Sequence, residues 1–448
     1  MNRFFLFLVV TAFATAAWRE TTSAPGTMAA LSKAAIDGAG QAVTLAIGLV
    51  GVMSLFLGLM RIAEAGGLLL IIARLLQPLM VRLFPDVPAN HPAMGAMVMN
   101  FSANLLGLGN AATPFGIRAM EALERLNPHP GTATNAMAMF LALNTSGLTL
   151  LPTGVIALRA SLGSNDPAAI LPTTLIATTC ATLTAGFAAW GLARFFPAGS
   201  RRTVVKPMDE APSDVHGAAA TQVLPPPPEA TLDPQTQAAL EETPSLPPYP
   251  LWATGLFFAG ILALIPVSLA VGAALSAWLV PGLIVLFLLF GAVRRVPVYE
   301  QFVEGARDGF QVALRIIPYL VAILVAVAML RASGALDAFV ILLSPLTAPI
   351  GLPAEALPMA LLRPFSGSGA YAVMASILSD PATGPDTLVG WLVSTLQGST
   401  ETTFYVLAVY FGAVGIKRIR HTLAAALLAD LAGIAAAVAA VHWLYPDV

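Results

Sequence analysis

The 448-residue chain predicts an all-α polytopic membrane protein of two homologous repeats, each with broken or re-entrant helices. Three observations point there. Hydrophobic residues make up 57% and charged residues only 10%, with a mean hydropathy of +0.80; a soluble chain would be about a quarter charged. A series of landmarks recurs in the same order in both halves. Finally, two polar stretches, Asn144-Thr145-Ser146 and Ser399-Thr400-Glu401-Thr402-Thr403, each lead into a long apolar run. Polar groups at bilayer depth must face protein or a water-filled cavity, so such stretches are candidate binding sites.

Residues 4–18 read as a first span, although the Ala-x-Ala-like end equally suits a signal peptide. Further spans are expected at 41–60, 133–158 (broken), 170–192, 251–270, 275–292, 313–330, 387–412 (broken) and 421–444. Segments 66–84, 93–118 and 335–376 are apolar but interrupted by Gly, Pro, Asn and Ser, which suits re-entrant hairpins or interfacial helices. Residues 198–250, with Pro225 to Pro228 and few large apolar side chains, have the composition of a disordered cytoplasmic linker. They divide an N-terminal domain, 1–197, from a C-terminal domain, 251–448.

The halves share their landmarks. Asp37-Gly38, Met60-Arg61, Gly66-Gly67 and Gln77-Pro78-Leu79 are answered by Asp308-Gly309, Leu330-Arg331, Gly334 and Ser344-Pro345-Leu346. Asn100-Phe101-Ser102-Ala103-Asn104 is answered by Pro364-Phe365-Ser366-Gly367-Ser368, and the two polar stretches follow. Interrupted apolar segments in corresponding places of two repeats are a pointer to a transporter site. Parallel and inverted repeats both fit the sequence. Arg194, Arg201, Arg202 and Lys206 before the apolar run at 251, and Arg294-Arg295 after it, belong on the cytoplasmic side, which requires two spans between them.

Several residues carry candidate chemistry. Asn100 to Pro114 holds Asn100, Asn104 and Asn110 around Gly107 and Gly109, a place where a broken helix turns orphan backbone groups toward a ligand; helix packing through small residues is the bland alternative. Arg363 follows an apolar run and suits an anionic group or a carboxylate such as Glu401 or Asp430. Glu401 is an intramembrane carboxylate, functional by default, with a buried salt bridge to Arg363 as the alternative. Asp430 reads as a structural partner or cavity-lining residue.

Other classes are excluded or unsupported. A net charge of −2 gives no reason to expect a nucleic-acid partner. The lone Cys180 rules out an internal disulfide, and the five histidines show no ligand spacing, so neither a metal nor a cofactor is expected. Gly107-Leu108-Gly109 lacks the context of a nucleotide loop. No catalytic triad or carboxylate pair emerges, and the chain does not read as an enzyme.

The stretches His91 to Leu123 and Leu141 to Pro167 resemble the spore maturation A proteins; Phe302 to Asp337, Leu361 to Ala370 and Gly398 to Gly433 resemble the spore maturation B proteins. The resemblance covers most of the chain outside the linker, as an A–B fusion. It implies two Gate, or nucleoside-recognition, domains akin to those of concentrative nucleoside transporters and the ferrous-iron transporter B, without the latter's GTP-binding domain. The resulting expectation is a multi-pass inner-membrane transporter or channel-like protein for an unknown small solute, in contact with the lipid bilayer and open to homo-oligomerisation. Its expected site comprises Asn100, Ser102, Asn104, Asn110, Asn144, Thr145 and Ser146 from one half. From the other come Arg363, Ser366, Ser368, Gln397, Ser399, Thr400, Glu401 and Thr402. A non-transporting scaffold of envelope or spore-type maturation is the alternative.

Overall fold

The computed structural model describes residues 2–22, 24–107, 109–147, 149–196 and 249–445. Apart from 249 and 250, the expected linker lies outside them. After α1 (Asn2–Thr22), the chain forms α2 (Thr27–Ala65), α3 (Leu68–Leu83), α4 (Pro92–Leu105), α5 (Gly109–Arg125), α6 (Asn135–Ser146), α7 (Thr153–Ser161) and α8 (Leu171–Leu192). A long run, α9 (Leu251–Val293), precedes the second series. That series is α10 (Val298–Ser333), α11 (Ala335–Thr347), α12 (Leu357–Leu362), α13 (Gly367–Leu378), α14 (Leu388–Ser399), α15 (Thr403–Ala413) and α16 (Thr422–Leu444). The helices from α2 to α8 and from α10 to α16 are one pattern used twice.

Local chemistry explains the matching breaks. The first helix of each series ends at a left-handed glycine, Gly67 with φ 81° and Gly334 with φ 76°, a conformation that a Cβ disfavours. The short helix that follows carries a proline near its end, Pro78 or Pro345. On α3 the buried residues Leu69, Ile72, Ala73, Leu76 and Met80 form one stripe, the pattern of a helix lying along an interface. α4 and α5 make a re-entrant hairpin: Asn100 Nδ2 donates across it to the Ala112 carbonyl at 2.7 Å, and the tip turns at Gly107. Its counterpart, α12 and α13, turns between Arg363 and Ser366. Element order therefore sets Gly109, the first residue of α5, against Gly367, the first residue of α13, six residues away from the match that the sequence landmarks suggested.

α6 and α7 are two halves of one interrupted span, and α14 and α15 are two halves of another. Their 12, 9, 12 and 11 residues each give about 14–18 Å of helix, roughly half of a ~30 Å hydrocarbon core. The breaks therefore fall near mid-depth.

α9 is one helical run where two spans joined by a loop were expected. A straight 43-residue helix would be about 64 Å long. Both of its ends are instead tied to one short stretch. Tyr249 N–H bonds the Arg74 carbonyl at 3.2 Å, Thr254 Oγ1 the Leu75 carbonyl at 2.7 Å, and Arg294 Nε the Gly66 carbonyl at 2.8 Å. The run must double back, and it contains Pro266 and Pro281, residues that break the intrahelical ladder.

Helix pairing settles the relation of the repeats. α2 and α10 lie antiparallel: Ser54 Oγ donates to the Ala306 carbonyl at 2.9 Å, Gly58 packs on Phe302, and Gly38 packs on Leu324 and Ala328. Gly305-x-x-x-Gly309 brings the backbones together; a Cβ at Gly309 would lie 2.6 Å from Ser54 Cα. α8 and α16 are antiparallel too, with Tyr445 bonded to the Ala169 carbonyl at 2.8 Å, Ala181 beside Gly433, and Arg420 Nε on the Phe196 carbonyl at 2.8 Å. Equivalent helices that pair antiparallel are related by a pseudo-two-fold axis in the membrane plane. The repeats are inverted.

Among the described residues, Thr27–Ala65, Leu171–Leu192, Val298–Ser333 and Thr422–Leu444 are long and apolar enough to cross a membrane. Among the described residues the two largest buried cores both mix the repeats: Met94, Met97, Phe115 and Phe140 pack with Tyr410 and Phe411, and Leu49, Ile156 and Leu158 with Met359, Trp391 and Leu392.

A candidate site where the two broken helices cross

α6 ends because Gly147 adopts a left-handed conformation with φ 50°. α14 ends because Thr400 is fully extended. The two breaks touch: the Glu401 N–H donates to the Thr145 carbonyl at 2.8 Å, and the Glu401 side chain lies directly over Gly147. Two orphan backbone groups, one from each repeat, thus satisfy each other inside the bundle.

Around this contact the structure assembles most of the expected residues. Asn104 Nδ2 donates to Asn144 Oδ1 at 2.9 Å, linking the first hairpin to the first broken helix, while Asn144 Nδ2 bonds the Phe140 carbonyl at 2.9 Å. Thr145 and Ser146 hydroxyls bond carbonyls one turn back, and Ser146 also meets Thr182 at 3.1 Å. Arg363, at the tip of the second hairpin, is buried. Its guanidinium bonds the Thr400 carbonyl, Thr402 Oγ1 at 3.3 Å, and pairs with Glu401 Oε2 at 3.7 Å. Glu401 keeps 47% of its side chain accessible, whereas Arg363 keeps 7%. The ionic partner of the arginine is therefore far more accessible than the arginine itself. Gln397 is half-buried with an Oε1 that has no hydrogen-bond partner.

Other expected residues serve local structure. Ser102 bonds its own helix at the Val98 carbonyl, 2.7 Å away. Ser366 caps α13 by accepting from the Gly369 N–H at 3.0 Å, with Ser368 half-buried in the first turn. The Ser399 hydroxyl bonds the Leu396 carbonyl at 3.0 Å. Asn100 is fully buried and reaches Ala112 and, at 3.3 Å, Tyr410; its Oδ1 accepts no hydrogen bond. The side chain of Asn110 falls outside the described residues.

Sequence reasoning missed a wall of hydroxyls on α8. Thr174, Thr178 and Thr182 repeat every fourth residue and so share one helix face. Thr178 donates to the Gly147 carbonyl at 2.9 Å, Thr173 meets Thr395 of the other repeat at 2.7 Å, and Thr174 Oγ1 is buried without a partner. That spacing was visible in the sequence. Asp430 was noticed as an intramembrane acid but not placed at the site; its Oδ2 accepts from Thr403 Oγ1 at 2.7 Å, one residue past the break. Two concave spaces lie elsewhere. One of about 330 Å³ is lined by Asp86, His129, Asn135 and Arg420, another of about 250 Å³ by Ser344, Glu355 and His442. Among the described residues no cluster of His, Cys, Asp and Glu is arranged to hold a metal ion.

Comparison with known proteins identifies this architecture. The nucleoside-recognition (Gate) domain matches residues 46–162 and 313–417, in each repeat from the second half of the long first helix to the helix after the break. The chain is also 48% identical over 171 residues to spore maturation protein B of Bacillus subtilis, covering 95% of that protein, and 45% identical over 171 residues to spore maturation protein A of the same organism, covering 85%. The chain belongs to the nucleoside-recognition (Gate) family. Each relative accounts for 38% of this chain, as a fusion of the two kinds would require. It is a multi-pass membrane protein with two Gate domains, and its helices contact the bilayer. The Gate matches contain both hairpin tips and both broken helices, so the crossing belongs to the family's own domain; Asp430, on α16, and the hydroxyl face of α8 lie outside the matched residues.

Proposed function

We propose that this Gate-family protein is a non-enzymatic transporter or channel-like protein for a small solute, with its site at the crossing of the broken helices. The observation that carries this reading is the mid-depth contact of two helix breaks beside a buried arginine and a half-exposed glutamate. A purely structural crossing has no need to keep a carboxylate open at bilayer depth. The Glu401 oxygen that faces away from Arg363 and the backbone of the breaks bind the solute, Arg363 orients any anionic part, and an acidic side chain at the crossing couples an ion or a proton. The description of the family puts nucleosides first among the solutes to try.

Charge distribution supports an inner-membrane orientation. Arg61, Arg82, Arg125, Arg194, Arg294, Arg295, Lys417, Arg418 and Arg420 gather at the rim where α8 ends and α9 begins and ends. The opposite rim carries Asp166, Glu355, Asp380 and Asp386 with fewer basic side chains, among them Arg159 and Arg331, which pair with Asp386 and Asp380. By the positive-inside rule the first rim, with the linker, is cytoplasmic.

Uptake of nucleosides, small carboxylates and divalent metal ions into proteoliposomes tests the proposal. Uptake of one class by the wild type and at least a tenfold loss in Glu401→Gln is the expected result; a variant that transports like the wild type overturns the role of Glu401. Deleting residues 205–245 separates this reading from a scaffold that recruits partners through the linker, because transport should survive the deletion.

A further inference from the structure

The charges at the crossing do not balance. Among the described residues Arg363 is the one cation there, and two carboxylates, Glu401 and Asp430, lie within its electrostatic reach. The arginine is engaged on one side only: it pairs with Glu401 at 3.7 Å and holds Thr400 and Thr402, while no hydrogen bond or ion pair joins it to Asp430. Asp430 is 3% exposed. Its Oδ2 accepts from the Thr403 hydroxyl, and its Oδ1 is buried with no hydrogen-bond partner. Among the described residues no other ionic group contacts it. The helices packed against α16 are α6, α8, α14 and α15, and they carry no Asp, Glu, Lys, Arg or His. Their titratable groups are the thiol of Cys180 and the phenols of Tyr405 and Tyr410. On α16 itself, His421 and His442 stand at the two ends.

An ionised carboxylate buried in a membrane bundle with one hydroxyl for company is far costlier than a neutral acid. We propose that Asp430 is a proton-binding site. It holds one proton while Arg363 is engaged with Glu401, and releases that proton when the guanidinium shifts toward it. The step is Asp430–COOH giving Asp430–COO⁻ and H⁺, with the arginine supplying the compensating charge. Arg363 also holds the Thr400 carbonyl and Thr402, so its shift moves the tip of the break and opens or closes the Glu401 side. Thr403 links the acid to the same tip. The inference rests on the crossing being the transport site and assigns the coupled ion, a proton, to a residue other than Glu401.

Infrared spectroscopy of the full-length protein in lipid tests this without knowledge of the solute. The wild type should show the carbonyl stretch of an un-ionised carboxylic acid at neutral pH. The band should vanish in Asp430→Asn, shift in Asp430→Glu and persist in Glu401→Gln. Absence of the band from the wild type, or its survival unchanged in either Asp430 variant, overturns the proposal. Loss of the band on adding sodium chloride, but not choline chloride, at constant pH also overturns it, because the carboxylate would then be a metal-cation site. If the band is assigned to Asp430 and no solute is taken up, the proton site stands and the transport reading falls. If uptake occurs, an inward proton gradient should accelerate it in the wild type and not in Asp430→Asn.

Discussion

At the rim opposite the linker, the two repeats are latched by a buried arginine, and removing its carboxylate partner should have a measurable cost. Arg159 on α7 is fully buried and pairs with Asp386 at 3.1 Å. The Asp386 carboxylate also accepts from Ser164 Oγ at 2.6 Å, the Asn165 N–H at 2.8 Å and Asn165 Nδ2 at 3.0 Å. The guanidinium stacks on Trp391, 4.6 Å from its ring centroid. Removing one partner of a buried pair costs about 3–5 kcal/mol. Asp386 keeps 32% of its side chain accessible and Arg159 retains the Pro385 carbonyl, so Asp386→Ala should fall near the lower limit, about 3 kcal/mol. For a chain of this length that lowers the apparent Tm by roughly 3 °C. Differential scanning fluorimetry in detergent resolves such a shift. The double variant Arg159→Met/Asp386→Ala should recover much of the loss, since no unpaired charge then stays buried. An unchanged Tm in Asp386→Ala, or strict additivity in the double variant, refutes the latch.

Gly309→Leu should destabilise by overpacking. The new Cβ meets backbone atoms of Ser54 and Met53 that yield only if α2 and α10 separate, at a cost of about 1–3 kcal/mol; a variant as stable as the wild type in the same melt would contradict the close antiparallel contact. Glu20, past the apolar run of α1, accepts from the N–H groups of Met28 at 2.9 Å and Gly26 at 3.1 Å, and the Met28 bond foremost holds its carboxyl below the ordinary value. A depressed carboxylate contributes above the unfolded-state value and is lost as pH falls through the folded one. Hydrogen exchange at Gly26 and Met28, corrected for intrinsic rates, should therefore accelerate below the usual carboxylate range. Glu20→Gln should remove the transition, and a pH-independent wild type would contradict the cap. Tyr410→Phe removes one 3.3 Å contact of Asn100 and should cost about 1 kcal/mol or less; a loss several-fold larger would mean the hydroxyl has a further role.

The alternation of apolar runs with Gly, Pro and polar clusters made the breaks legible, because membrane helices have so few reasons to contain them. Both interrupted spans and the ordering of the duplicated landmarks could be read from the sequence alone. Inverted topology could not: it follows from Ser54 meeting Ala306 and Tyr445 meeting Ala169, contacts between residues hundreds of positions apart. The turn inside α9 was legible, because the basic residues on either side required two spans; its unbroken helical path was not, since its middle is apolar throughout and Pro266 and Pro281 bend a helix without interrupting its hydropathy. Within the site, residue type identified groups needing partners but not which partners. Ser366 looks identical in sequence whether it caps a helix or faces a solute. Asp430 gained its place only when α16 packed against the break, and the Thr174–Thr178–Thr182 face of α8 was overlooked because hydroxyls at four-residue spacing are compatible with a lipid-facing helix that bonds its own carbonyls.

The central claim is that two inverted repeats interlock around the crossing of their broken helices. Thr173 and Thr395 belong to different repeats, and their hydroxyls lie 2.7 Å apart beside the breaks. Replacing both with cysteine, in a Cys180→Ser background with a protease site inserted between residues 205 and 245, turns that contact into a covalent test. After mild oxidation in membranes and cleavage of the linker, the two halves should migrate together on a denaturing gel and separate on reduction. Halves that separate without reductant, while each single cysteine remains reactive, would contradict the interlocked arrangement.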